Sequence, residues 1–124
     1  MKPLLPEWTR DCDRFIATKI LGLKLMGEDR HHVEHLERGG DNGWHDRVLL
    51  PYYNADIEHA FHPARKFMRG HKNNKIEFSS LRPDGSIDCT LKSGGISCLS
   101  EGVCEADALA RALFIAYGGR YSED

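Results

Sequence analysis

The residues best equipped for chemistry fall in one short run, "HHVEH" at 31–35. It fits H-x-x-E-H, a zinc-hydrolase pattern in which two histidines bind metal and the glutamate acts as base. On a helix, His31 and His35 would share a face with Glu34 beside them. The surroundings do not suit such a site, which needs a helix packed into a core and a third ligand downstream. Residues 27–46, "GEDRHHVEHLERGGDNGWHD", are polar and broken by four glycines. A solvated loop without bound metal is therefore the expectation, and a metal-dependent hydrolase ranks last among the readings. His59 and His62, three apart beside an apolar stripe, are expected as boundary histidines and not as ligands.

Nucleophilic catalysis finds no foothold. The chain has no G-x-S-x-G, no cysteine inside an active-site signature and no phosphate-cradling P-loop. "ERGGDNG" is glycine-rich but follows no predicted strand. Asp11 and Asp13 lie two apart on a predicted helix, face different ways, and are expected as solvated surface. The chain is read as a non-enzyme that carries no cofactor.

Binding is the chemistry that remains. Trp44, Tyr52 and Tyr53 are aromatics in or beside predicted loops, and Arg47, Arg65 and Arg82, with Arg111, can make bidentate contacts to phosphate. A stacking face with a charge clamp suits a nucleotide-sized anion. The competing reading has the tyrosines pinning the chain ahead of the second helix and the arginines dispersed as surface charge.

Composition narrows the partners. The chain has 124 residues, of which 40% are apolar, enough for a single domain spanning 1–124. No run reaches the roughly 18 apolar residues a membrane span needs, and "MKPLLPEW" is too interrupted for a signal peptide. A cytoplasmic protein with no membrane partner is expected. Seventeen basic and nineteen acidic residues are well mixed, giving a net charge of −2. With no basic excess and no evident basic stripe, polymeric nucleic acid is not the expected partner. Four cysteines without a C-x-x-C pair read as reduced, packed thiols.

These residues must be positioned by a small set of elements. A first helix is predicted over 7–21, with Trp8, Cys12, Phe15, Ile16 and Ile20 on one face and Gly22 at its end. A long polar loop follows over 27–50, with at most one helical turn near Val33 and Leu36. The second helix should begin with Asn54 as its N-cap. It carries the clearest stripe in the chain: Ile57, Ala60, Phe61, Ala64, Phe67 and Met68. Pro63 interrupts it with an expected kink near His59, and Gly70 ends it. Alternation over 75–92 around the turn "RPDGS" predicts a β-hairpin. "GGISCLS" suggests a third short strand, and a last helix runs over 105–117. The fold class is α+β: an α/β/α sandwich-like domain whose small antiparallel sheet is packed by three helices.

The order "ATKILGLKL", "LPYYNADIEHAF", hairpin, "EADALARALFIAY" resembles the phage ABA sandwich domain family. An Ala-x-x-Val-Met-Gly-Trp-like segment of that family corresponds to Ala17, Ile20, Leu21, Gly22 and Leu23. A Pro-x-Tyr-Ser-x-Asp motif corresponds to Pro51, Tyr53, Asn54 and Asp56, and the closing helix to residues 108–114. Leu23 replaces the usual tryptophan, Asn54 the serine, and Pro63 interrupts the second helix. The resemblance implies an α/β/α sandwich of phage or prophage origin. Small phage proteins of this general build include sponges that sequester nucleotide signals of host defence. The expected function is thus non-catalytic capture of a small nucleotide-type ligand, in a pocket formed between subunits of a homo-oligomer. The alternative is a protein-interaction module that engages a host protein through the 27–50 loop.

Overall fold

A computed structural model describes residues 5–28, 34–39, 45–79 and 81–121, with side chains for all of these except 26–28, 34–39 and 45–48. Helix α1 (Arg10–Phe15) continues as a π-helical turn, Ile16–Ile20. The strands are β1 (Lys24–Glu28), β2 (Glu34–Gly39) and β3 (His45–Leu49). Helix α2 (Ile57–Gly70) comes next, then β4 (Lys75–Phe78), β5 (Ile87–Ser93) and β6 (Ile96–Gly102). Helix α3 (Glu105–Ala116) closes the order. The α+β class holds as predicted, with the 75–92 hairpin and three helices packed together.

Helix α3 is the hub. Nine consecutive residues, 106–114, are buried, because α3 packs on β5 and β6 on one side and on α2 on another. The Phe114 ring adds edge contacts to Trp8 and Phe15, with centroids 5.6 and 5.0 Å away, which tie α1 to the same helix. Alanines at 106, 108, 110 and 112 let neighbours approach closely. The closest approach is at Gly102, where a Cβ would sit 2.2 Å from the Ala108 backbone nitrogen.

Strand β5 alternates as a half-buried strand should, with Ile87, Cys89 and Leu91 buried. It pairs antiparallel with β4 on one side and β6 on the other, so the suggested third strand is real. Gly22, at φ +70°, ends the first helical segment in the left-handed region. That helix begins three residues later than predicted, because Thr9 is extended and Trp8 is turned onto another task described below.

The expected 27–50 loop is a correction. Its described backbone forms an antiparallel three-stranded sheet in the order β1-β2-β3. Periodicity missed it for a physical reason. Leu36 of β2 is in register with Leu25 of β1 and Val48 of β3, so the apolar residues form a row across the strands, not a pattern along any one of them. The "HHVEH" motif is corrected with it. Glu34 and His35 lie in a strand, where helical i,i+4 spacing does not apply. Residues 31–33 and Trp44 lie outside the described residues.

The N-cap of α2 lies two residues after the predicted one. Asp56 takes that role, its side chain accepting from the Glu58 N–H at 2.9 Å. The helix runs on through Pro63, whose buried ring joins Ala60, Ala64 and Phe67 on the inner face. Among the described residues, no helix is long and apolar enough to cross a membrane.

Candidate functional site

Two buried carboxylates fix the segment ahead of α2. Asp13 is fully buried; its Oδ1 accepts from Trp8 Nε1 at 2.9 Å and from the Tyr53 N–H at 3.0 Å. Its Oδ2 accepts from Arg10 Nη1 at 2.7 Å. Burial pushes this carboxyl above its ordinary range, while the Trp8, Tyr53 and Arg10 donors pull it back. Arg10 also donates to the carbonyls of Leu50 (2.7 Å) and Pro51 (3.0 Å), and its guanidinium lies 3.9 Å from the Tyr52 ring centroid. The expectation that Asp11 and Asp13 are both solvated therefore fails for Asp13. Two positions on a helix diverge, so Asp11 is exposed and pairs with Arg14 while Asp13 points into the core.

The second carboxylate is Asp107 on α3. It accepts from Asn54 Nδ2 (3.1 Å), the Val103 N–H (3.0 Å) and Arg111 Nε (2.8 Å). Arg111 is itself buried and donates to the Pro6 carbonyl at 2.6 Å. The segment 50–54, which carries the candidate ligand residues Tyr52 and Tyr53, is thus held to α1 and α3 by these bonds.

Free charge lies elsewhere, on the outer face of α2. His62, Arg65, Lys66 and Arg69 stand at helical spacings of three and four. With Leu21 and Gly70 they line an open groove of about 510 Å³. Among the described residues, no carboxylate forms an ion pair with any of these side chains. The helix dipole accounts for a cation in the last turn, but not for a row of them. Like charges at i,i+4 cost an isolated helix about 0.2–0.5 kcal/mol per pair, and Arg65 with Arg69 is such a pair. What this arrangement does well is hold an anion: two guanidiniums for bidentate contacts, an ammonium and an imidazole within about two turns of helix.

The six sequence-predicted ligand residues are not brought together. Arg65 lines the groove. Tyr53 is buried in the core and Tyr52 lies exposed over Arg10. Arg82 is occupied on the hairpin by Ser86 Oγ at 3.1 Å, by Asp88 and by Glu101. Arg47 is placed by its backbone alone, opposite Glu37 in the β2–β3 pair, and Trp44 lies outside the description. The basic stripe of α2 was missed because charge was weighed over the whole chain. The signal was present in "HPARKFMRG", where His62, Arg65, Lys66 and Arg69 repeat the spacing used to find apolar stripes.

No group of three or more metal-ligating side chains that could hold an ion occurs among the described residues. All four cysteines are free; Cys12 and Cys89 are buried, Cys98 is half-buried and Cys104 is exposed.

No family model matches the chain, and no curated protein matches it significantly. Among solved structures, it is similar in fold to a phage protein from Bacillus cereus ATCC 14579. The two share 16% identity at a TM-score of 0.62, over 99% of this chain and 98% of the other.

Proposed function

We propose that this chain is a non-catalytic phage or prophage accessory protein that captures a small phosphate-bearing ligand on the basic face of α2. The observation that carries the reading is the groove of about 510 Å³ whose cations lack carboxylate partners among the described residues. Its volume falls within the range of about 300–1,000 Å³ typical of small-molecule sites. The phage assignment is supported by the order of segments that resembles the phage ABA sandwich domain family. The fold likeness to the Bacillus cereus phage protein agrees with it. The non-catalytic reading is supported by the two buried carboxylates, Asp13 and Asp107, each taking three internal donors.

The test is calorimetric titration with inorganic pyrophosphate at low salt. Binding that weakens at least tenfold in Arg65→Ala/Arg69→Ala, and weakens steeply with added salt, is the expected result. Pyrophosphate recovered intact after prolonged incubation supports capture over turnover. Absence of any anion binding by the wild-type protein overturns the reading.

A further inference from the structure

We infer that the basic groove is one half of a composite site whose other half receives an aromatic ring, which makes the ligand a nucleoside phosphate. The inference rests on the anion reading of the α2 face. A second groove, of about 400 Å³, lies on the other side of the helix end, and Gly70 lines both. Its walls are largely apolar, with Phe67, Leu91, Ile96 and Tyr117 among them. Such walls suit a flat heterocycle, which a tyrosine ring can stack upon.

Gly70 itself points the same way. Glycine is the poorest helix former after proline, so its place at the end of α2 asks for a reason. A left-handed backbone is not that reason, since Gly70 is not among the glycines with positive φ. Crowding is not the reason either, because a Cβ there would meet only Asn74 Nδ2, at an ordinary 3.7 Å. A missing side chain does accomplish one thing: it puts no side chain of residue 70 between the basic and apolar grooves, both of which Gly70 lines.

Asn74, one of the residues lining the apolar groove, also carries an unanswered acceptor. Asn74 is more than nine-tenths buried, and its Nδ2 donates to the Phe67 carbonyl at 2.7 Å. That bond fixes the amide orientation, because a flip would set two oxygens against each other. Asn74 Oδ1 is left buried with no partner. A buried acceptor without a donor is costly, and the ring or exocyclic N–H of a nucleobase would supply one. Phosphate on the His62–Arg69 side and base on the Asn74–Tyr117 side, joined across Gly70, describe one ligand.

The experiment compares pyrophosphate with ADP, GDP, CDP and UDP by calorimetry on the intact protein. At least one nucleoside diphosphate should bind tenfold or more tightly than pyrophosphate. Gly70→Leu should abolish that advantage, and Tyr117→Ser, at an exposed rim position, should reduce it by several fold. Equal binding of pyrophosphate and all four nucleotides overturns the ring subsite and leaves the anion site standing. A nucleotide advantage that survives both substitutions also overturns it. No binding of any of the five overturns both readings.

Discussion

Asp13 and Tyr53, forty positions apart, meet in the interior, where the Tyr53 N–H donates to the Asp13 carboxylate at 3.0 Å. That one bond joins the first helix to the turn that launches α2. The same carboxylate takes Trp8 Nε1 and Arg10 Nη1. Asp13→Ala should therefore strand three donors and lower stability by about 3 kcal/mol. Asp13→Asn keeps an acceptor for Tyr53 and should lose clearly less. Urea denaturation of the three proteins decides it; equal stability of Asp13→Ala and wild type would falsify the clamp.

Asp107 and Arg111 are both nearly inaccessible and are joined at 2.8 Å. Removing one partner leaves a buried charge, so Asp107→Ala should cost about 3–5 kcal/mol. Replacing both, as Asp107→Leu with Arg111→Met, should cost less than the single change, because no lone charge remains. A double-mutant cycle on unfolding free energies measures the difference.

Cys104 caps α3, its Sγ accepting from the Asp107 N–H at 3.5 Å. Serine preserves an acceptor there and alanine does not. Cys104→Ser should therefore match wild type, and Cys104→Ala should lose about 1 kcal/mol. The exposed Cys104 should also react with a thiol reagent in the native protein, whereas Cys12 and Cys89 should react only on unfolding. Thermal melts and a timed labelling assay check these two expectations separately.

The Cys89 thiol is completely buried, and burial pushes it from the ordinary 9.0 up to about 12. The unfolded chain therefore ionises first as pH rises. The contribution to stability is fully present below pH 9 and is lost as pH climbs from 9 through about 12. The slope from this one group can approach about 1.4 kcal/mol per pH unit. Denaturation between about pH 8 and 11 should show a shallower decline in Cys89→Ala than in wild type. Identical slopes would remove Cys89 as a source.

Arg65 lies on the exposed face of α2 and forms no ion pair with a described carboxylate. Arg65→Glu should leave stability within about 0.5 kcal/mol while eliminating pyrophosphate binding. A structural role would reverse this pattern, with a lower melting temperature and unchanged binding. Paired calorimetry and thermal melts distinguish the two.

The legible parts of the fold were those written in local periodicity. The inner face of α2 at Ala60, Ala64 and Phe67, the alternation of Ile87, Cys89 and Leu91, and the run that fills α3 each repeat at the spacing of their own element, although Phe61 and Met68 of the predicted α2 stripe are exposed. The first sheet was illegible because Leu25, Leu36 and Val48 line up only once the strands pair. The candidate site was half legible. Arg65 was singled out, but Tyr53 was assigned to a ligand surface when its ring belongs in the core, because a motif of turn residues reads alike whether it borders a pocket or braces a helix.

Residue order by itself determined where helices and the hairpin form, since backbone preference and side-chain spacing act over a few positions. Tertiary structure alone decided which polar groups are spent internally and which remain free. Asp13 and Asp107 are saturated because donors 40 and 53 positions away reach them. The α2 cations remain unpaired because no described carboxylate lies within ion-pairing distance. Gly70 comes to line two grooves only because packing brings the ends of α2 and α3 beside the β5–β6 turn. Burial and pairing depend on contacts between distant segments, and spacing along the chain carries no record of them.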